Sequence, residues 1–244
     1  MQWNDNAFVL TNRIHGENSS IVSIFTRNHG VFNGLVRGAK NKKNRALYQP
    51  GNFLQAQWKA RLSEQLGSIT AEPIKSFSTH IMQDPLKLVA LQSASILTYL
   101  MVPERDPHAH LYDMFENLIE EMVLDGKWQS IYIFYEMELL SQAGFGLDLS
   151  CCAATGSLED LFYISPKTGR AVSKNAGKPY HDKLILLPEF ILNKQIKDLC
   201  AEEINKGLAL CGYFLNKYIF KMQDKKMPDV RLRLAEIMPS EELV

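Results

Sequence analysis

The densest chemistry in the chain is cationic. In "VRGAKNKKNRALYQPG", Val36 to Gly51, stand Arg37, Lys40, Lys42, Lys43 and Arg45, with no acid among them. Guanidinium and ammonium groups at this spacing suit a row of phosphates, since each neutralised phosphate releases counterions whatever base it carries. More bases, Arg13, Arg27, Lys59 and Arg61, occupy the flanking segments. The candidate nucleic-acid contacts are therefore Arg13, Arg27, Arg37, Lys40, Lys42, Lys43, Arg45 and Lys59. Gly34 and Gly38 allow a close backbone approach beside the stretch. Phe32, Tyr48, Phe53 and Trp58 offer either faces for unpaired bases or side chains for a core, and the core is the commoner use. A solvated, lysine-rich loop is the plain alternative to the phosphate reading.

Bond-making chemistry has less support. Cys152-x-x-Thr155, then seventeen residues, then Ser173-x-x-Ala176 has the spacing of a zinc knuckle, but three of its four positions hold no thiol. A structural zinc requires four nitrogen or sulfur donors, and Cys151 and His181 do not restore the set, so neither metal nor cofactor is expected. His108 and His110 with Asp106 and Asp113 lie at a proline-containing helix start, where polar side chains serve as caps. No phosphate-binding glycine loop and no nucleophile elbow occurs. A hydrolase using Cys152 and His181 is the different-class alternative. Nothing identifies a base for any nucleophile, so no enzyme is expected.

The elements that would position the cations read as strands. "AFVLTNRI" sets Phe8 and Leu10 on one face and Ala7 and Val9 on the other, and "SIVSIFTR", "VFNGLVRG", "NFLQAQWKARL" and "SITAEPIKSF" follow across glycine and asparagine turns. Five strands in so short a span predict a small barrel, of OB or SH3-like type. One long gap, Gly38 to Pro50, holds the basic stretch.

The period changes near Asp84-Pro85, where Leu86, Val89, Ser93, Leu97 and Leu100 predict a helix to about Met101. Leu111, Phe115, Leu118 and Met122 mark a second helix, and "WQSIYIFYEMELLSQAG", apolar nearly all round, a third in the middle of a bundle. Ile204, Leu208, Cys211, Leu215, Tyr218 and Met222 predict a long final helix, with Cys211 on its buried stripe and Cys200 under the preceding turn. An irregular insert at about 147–187 contains a hairpin turning at Pro166 to Gly169.

Of the 244 residues 46% are apolar, enough for one large domain or two ordinary ones. The fold class expected is α+β, with residues 1–80 a β-barrel and residues 81–244 mainly helical around the insert. Net charge is zero, but ten bases against four acids up to Lys75 give +6, and the remainder gives −6. With no apolar window of membrane-spanning length, no secretory leader and four cysteines, a cytoplasmic protein with reduced thiols is expected.

The order of features resembles the bacterial RecO family. The resemblance rests on Val9-Leu10 with Arg13, Gly16 and Glu17; on Ile21-Val22 with Phe25, Thr26 and Gly30; on Val36-Arg37-Gly38-Ala39-Lys40 leading to Gln49-Pro50; and on "GFGLDLSCCAATG" and "YISPKTGRAVS" in the insert. It implies an OB-fold domain before a helical one, and a recombination mediator in DNA repair. Such a protein binds single- and double-stranded DNA, anneals strands coated by single-stranded DNA-binding protein (SSB), and with RecR assists RecA loading. It also implies contact with the SSB C-terminal tail. Many members carry a four-cysteine zinc site that this chain lacks. An RNA-binding OB module is the alternative within binding proteins, because backbone neutralisation serves both polymers.

Overall fold

The computed structural model describes residues 1–38, 41–62 and 65–238. Its strands are β1 (Gln2–His15), β2 (Ser19–Thr26), β3 (Gly30–Arg37), β4 (Phe53–Lys59) and β5 (Gly67–Lys75), closed into a barrel in the order β1-β2-β3-β5-β4. β1 is long enough to serve two neighbours. It pairs β4 from Gln2 with Lys59 to Phe8 with Phe53, and β2 from Ala7 with Thr26 to His15 with Ser19, with an irregularity between Val9 and Thr11. Closure comes from a short parallel contact of β3 with β5, Gly34 beside Gly67. This is an OB-type barrel.

The glycine at 34 answers to this closure. A Cβ there would lie 2.5 Å from the Ile69 side chain, and one at Gly67 would lie 2.3 Å from the Trp58 ring. Gly34 therefore admits strand packing, where the sequence suggested a ligand's approach. Within the barrel pack Ala7, Val9, Val22, Ile24, Phe32, Trp58 and Ile69.

Burial on both sides explains the continuous apolar run in β1. Ala7 and Val9 point into the barrel, whereas Phe8 points out and meets the rings of Tyr112 and Phe115, each 5.5 Å away. Phe25 of β2 meets the same two rings. These partners lie on α4 (Ala109–Val123), which follows α2 (Phe77–Ile81) and α3 (Pro85–Met101). Burying one such phenylalanine stabilises the unit by about 1.5–3 kcal/mol. The residues up to Gly126 form one compact unit and those from Lys127 a second.

A short helix, α1 (Lys42–Leu47), occupies the gap between β3 and β4 that the sequence left without an element. The Asn41 side chain caps it by accepting the Lys43 N–H at 3.0 Å, and Leu47 and Tyr48 at its far end enter the barrel core. Six residues are too few to display a helical period, but asparagine at the N-cap was a usable signal.

The second unit contains α5 (Trp128–Gln142), the three-stranded sheet β6 (Leu161–Ile164), β7 (Ala171–Ser173) and β8 (Ile185–Leu186), with short α6 (Lys174–Gly177) and α7 (Glu189–Leu192). Then come α8 (Ala201–Phe214) and α9 (Asp229–Ile237). The helix of α8 continues as a π turn over Leu215–Phe220 and a 3-10 turn over Lys221–Gln223. The wider π turn shifts the phase of the stripe. Ile204, Leu208, Cys211 and Leu215 are buried as expected, but burial then moves to Ile219 and Phe220, leaving Met222 68% exposed.

Cys200 also departs from expectation. It is exposed at the N-cap of α8, in a capping box with Glu203, so its place is set by helix capping rather than by the core. The helix α9 was not anticipated. It brings Arg231, fully buried, to Glu136 of α5, with Nη2 2.8 Å from Oε2. The same Nη2 donates to the Leu208 carbonyl at 2.9 Å, and the Tyr132 hydroxyl donates to Glu136 at 2.6 Å. Burial opposes the Arg231 charge, yet the Glu136 carboxylate raises its pKa above the ordinary range.

The insert keeps a knuckle turn without a zinc donor set. The Cys152 sulfur accepts the Ser173 N–H at 3.2 Å, while the Cys152 carbonyl accepts the Gly156 N–H. Cys151 turns to Arg170 instead, 3.6 Å from its Nη2. Burial pushes the Cys152 thiol up, but hydrogen bonds from Ser173 and Thr155 outweigh this and bring its pKa down to about 6. A thiol, two hydroxyls and the Ala176 methyl do not fit a structural zinc. Among the described residues, no helix is long and apolar enough to cross a membrane.

Candidate nucleic-acid interface

The barrel has two ends, and the candidate cations divide between them. At one end lie the β1–β2 hairpin, the close of β3 and α1; at the other lie the turn after Thr26, the close of β4 and the start of β5. Arg37, Lys42, Lys43 and Arg45 gather at the first end, all exposed. Lys40 lies outside the described residues. Two bonds fix α1 against β3: the Asn44 amide donates to the Arg37 carbonyl at 3.0 Å and to the Gly38 carbonyl at 3.1 Å. Gly38 has φ +72°, the left-handed turn that ends the strand, and its N–H reaches back to the Asn18 carbonyl.

Among the described residues, none of these four cations makes an ion pair. Arg13, on β1 towards the same end, is exposed and lies over the Tyr99 ring at 5.2 Å, donating to its hydroxyl at 2.8 Å. A cleft of about 530 Å³ runs beside α1, lined by Asn12, Ile14, Glu17, Ser19, Arg45 and Gln49. Ser19 stands opposite Arg37 in the β2–β3 register, so the β3 end that carries Arg37 adjoins this cleft. Ile14 is 86% exposed there. Charge pattern alone could not have picked out Asn12, Ile14 or Gln49; an isoleucine followed at once by a His-Gly turn was the nearest signal.

Arg27 and Lys59 stand apart from this group. Arg27 makes a two-point ion pair with Asp113, at 2.8 and 3.0 Å, although both groups remain about half exposed. The hydrogen bond and the opposite charge raise the Arg27 pKa and lower that of Asp113. Lys59 is exposed and closes β4 opposite Gln2.

The aromatics do not form a stacking platform at the α1 end. Phe32, Tyr48 and Trp58 are buried in the barrel, and half-buried Phe53 packs on Phe8 at 4.7 Å. A ligand at this end would meet cations, amides, the Ser19 hydroxyl, one aliphatic side chain and the Glu17 carboxylate. Such a set suits a charged backbone better than base edges. The second cluster, Asp106, His108, His110 and Asp113, is divided in use: Asp106 pairs with His108 at 3.2 Å and Asp113 with Arg27.

Barrel, capping helix and helical second unit together define the class, an OB-fold protein with a helical C-terminal part. Residues 1–77 match the family model described as Recombination protein O N terminal, and residues 82–228 match Recombination protein O C terminal. The chain is 42% identical to the DNA repair protein RecO of Rhodospirillum centenum over 97% of its length and 94% of that protein's. It is 40% identical to that of a Caulobacter species (strain K31) and 38% to that of Bartonella quintana, over 97% of each chain in both cases. The chain belongs to the RecO family of DNA repair proteins.

Proposed function

We propose that this protein is a recombination mediator that binds single- and double-stranded DNA at the α1 end of its barrel and anneals complementary strands. With RecR it assists RecA loading onto SSB-coated DNA, recognising the SSB C-terminal tail. Residues 1–80 supply the DNA contacts, and residues 81–244 supply the protein contacts. The observation that carries the DNA site is the gathering of Arg37, Lys42, Lys43 and Arg45 on and beside a capped helix, without an ion pair among the described residues. Lys40 joins them by sequence, Arg13 flanks them, and Arg27 and Lys59 are peripheral contacts. Family membership supports the partner assignments and a cytoplasmic setting.

Annealing needs no bond to be made or broken. Screening the repulsion between two backbones is enough, and a cation-rich surface does this for any sequence. The test is the salt dependence of DNA affinity for K42A/K43A/R45A. Each single-strand phosphate contact contributes about 0.7 to the log–log salt slope, so losing three lowers it by roughly two. An unchanged slope would return the stretch to a solvated surface. Competition by an RNA strand of matched sequence, as effective as DNA, would favour the RNA-binding reading instead.

A further inference from the structure

The acidic balance of the residues after Lys75 conceals a second cationic surface. Between residues 213 and 228 stand Lys217, Lys221, Lys225 and Lys226, against Asp224 alone. Lys217 and Lys221, four apart across the π turn that ends α8, lie along one side of that helix. The β6–β7 hairpin turn joins this surface. Lys217 donates to the Pro166 carbonyl, and the Tyr218 hydroxyl donates to the Lys167 carbonyl at 3.1 Å, so exposed Lys167 stands beside them.

A ring stack runs next to these lysines. Tyr218 lies between buried Phe214, 5.8 Å away, and half-buried Phe145, 4.7 Å away and only 4° from parallel. Among the described residues Phe145 meets no other ring, so it forms the outer end of the stack. Like charges a helical turn apart repel and weaken the fold. Lys217 is partly answered by the Pro166 carbonyl and by the Tyr218 ring, over which it lies at 4.5 Å, whereas Lys167, Lys221 and Lys226 make no ion pair among the described residues. Phosphates would offset the repulsion, while the ring stack provides a flat face for an unpaired base.

We propose that Lys167, Lys217, Lys221 and Lys225, with Phe145 and Tyr218, form a second binding surface for single-stranded DNA. It rests on the reading that the barrel holds a first strand, and it gives the complementary strand a place on the same molecule. The stacked rings distinguish it from the α1 end, where Phe32, Tyr48 and Trp58 are buried and the Tyr99 ring carries Arg13. A single strand, with its bases unpaired, suits it better than a duplex.

The test uses the full-length protein and a deoxyoligonucleotide of about ten residues carrying 5-bromodeoxyuridine, short enough to occupy one surface. Two oligonucleotides bind per chain, and ultraviolet crosslinks map to peptides containing Phe145 or Tyr218 as well as to the barrel. The variant K167A/K221A/K225A retains its melting temperature, binds one oligonucleotide, and anneals uncoated complementary strands about tenfold more slowly. One oligonucleotide per wild-type chain, crosslinks confined to the barrel, or an unchanged stoichiometry in the variant would overturn the assignment. The barrel variant K42A/K43A/R45A separates the two readings. If it still binds both oligonucleotides while K167A/K221A/K225A loses one, the barrel site is wrong and the second surface stands.

Discussion

Arg231 and the cations of α1 are the same chemistry put to opposite uses. Arg231 is buried, and it has a carboxylate, a carbonyl and a tyrosine-braced network arranged around it. Arg45, Lys42 and Lys43 are exposed and make no ion pair among the described residues. A buried charge has to be answered inside the fold, because an unpaired one costs several kcal/mol, whereas an exposed charge needs no answer. Cations in the first setting are therefore committed to holding α5, α8 and α9 together. Cations in the second contribute little to folding and are free for a ligand.

The largest effect separates the two uses by stability. Arg231→Ala leaves Glu136 buried and unpaired, and it lowers unfolding free energy by about 3–5 kcal/mol, read from urea denaturation. The double variant E136L/R231L recovers most of that loss, since apolar side chains of similar volume need no partner. Equal losses in the single and double variants would show that packing, and not the uncompensated charge, is what Arg231 supplies.

Cys152 offers an intermediate case, a buried group whose negative charge is answered by hydrogen bonds in place of a cation. Its folded pKa of about 6 lies below the ordinary thiol value. The stability this provides is present above the unfolded thiol pKa of about 8.5 and is lost as pH falls through 6. Melting temperature should decline across that window in the wild type, and Cys152→Ser should flatten this part of the profile. A wild-type profile already flat there would show that the thiol stays neutral.

The smallest effect belongs to Arg27, which is paired but exposed. Arg27→Ala should leave the urea midpoint nearly unchanged, because solvent screens the Asp113 pair. It should also weaken DNA binding less than loss of any α1 cation, as measured by fluorescence anisotropy. A loss matching that of Arg45→Ala would move the DNA path towards the other end of the barrel.

What could be read in the sequence was whatever is decided locally. Asp84 before Pro85 announced α3, and its carboxylate does accept the Leu86 and Lys87 N–H groups, at 2.9 and 3.2 Å. The β1 run from Ala7 to Leu10 carried its two faces openly. The basic stretch was visible as a composition, but α1 beneath it was too short to show a period. Pairings across long separations had no local sign: Arg27 meets Asp113 86 positions away, and Arg231 meets Glu136 95 away. The π turn was hidden as well, since its sequence continues an ordinary helical stripe. Cys200 was misplaced because a cap and a core position look alike for a small thiol.

The length of α1 sets a footprint. Six residues rise about 9 Å, and phosphates along one strand of a duplex advance by about 3.4 Å, so this helix spans roughly three of them. On the proposed DNA reading, a contact so short would grip any strand briefly and let it go. If the protein anneals strands as proposed, weak retention at each site would let mismatched strands separate and search again.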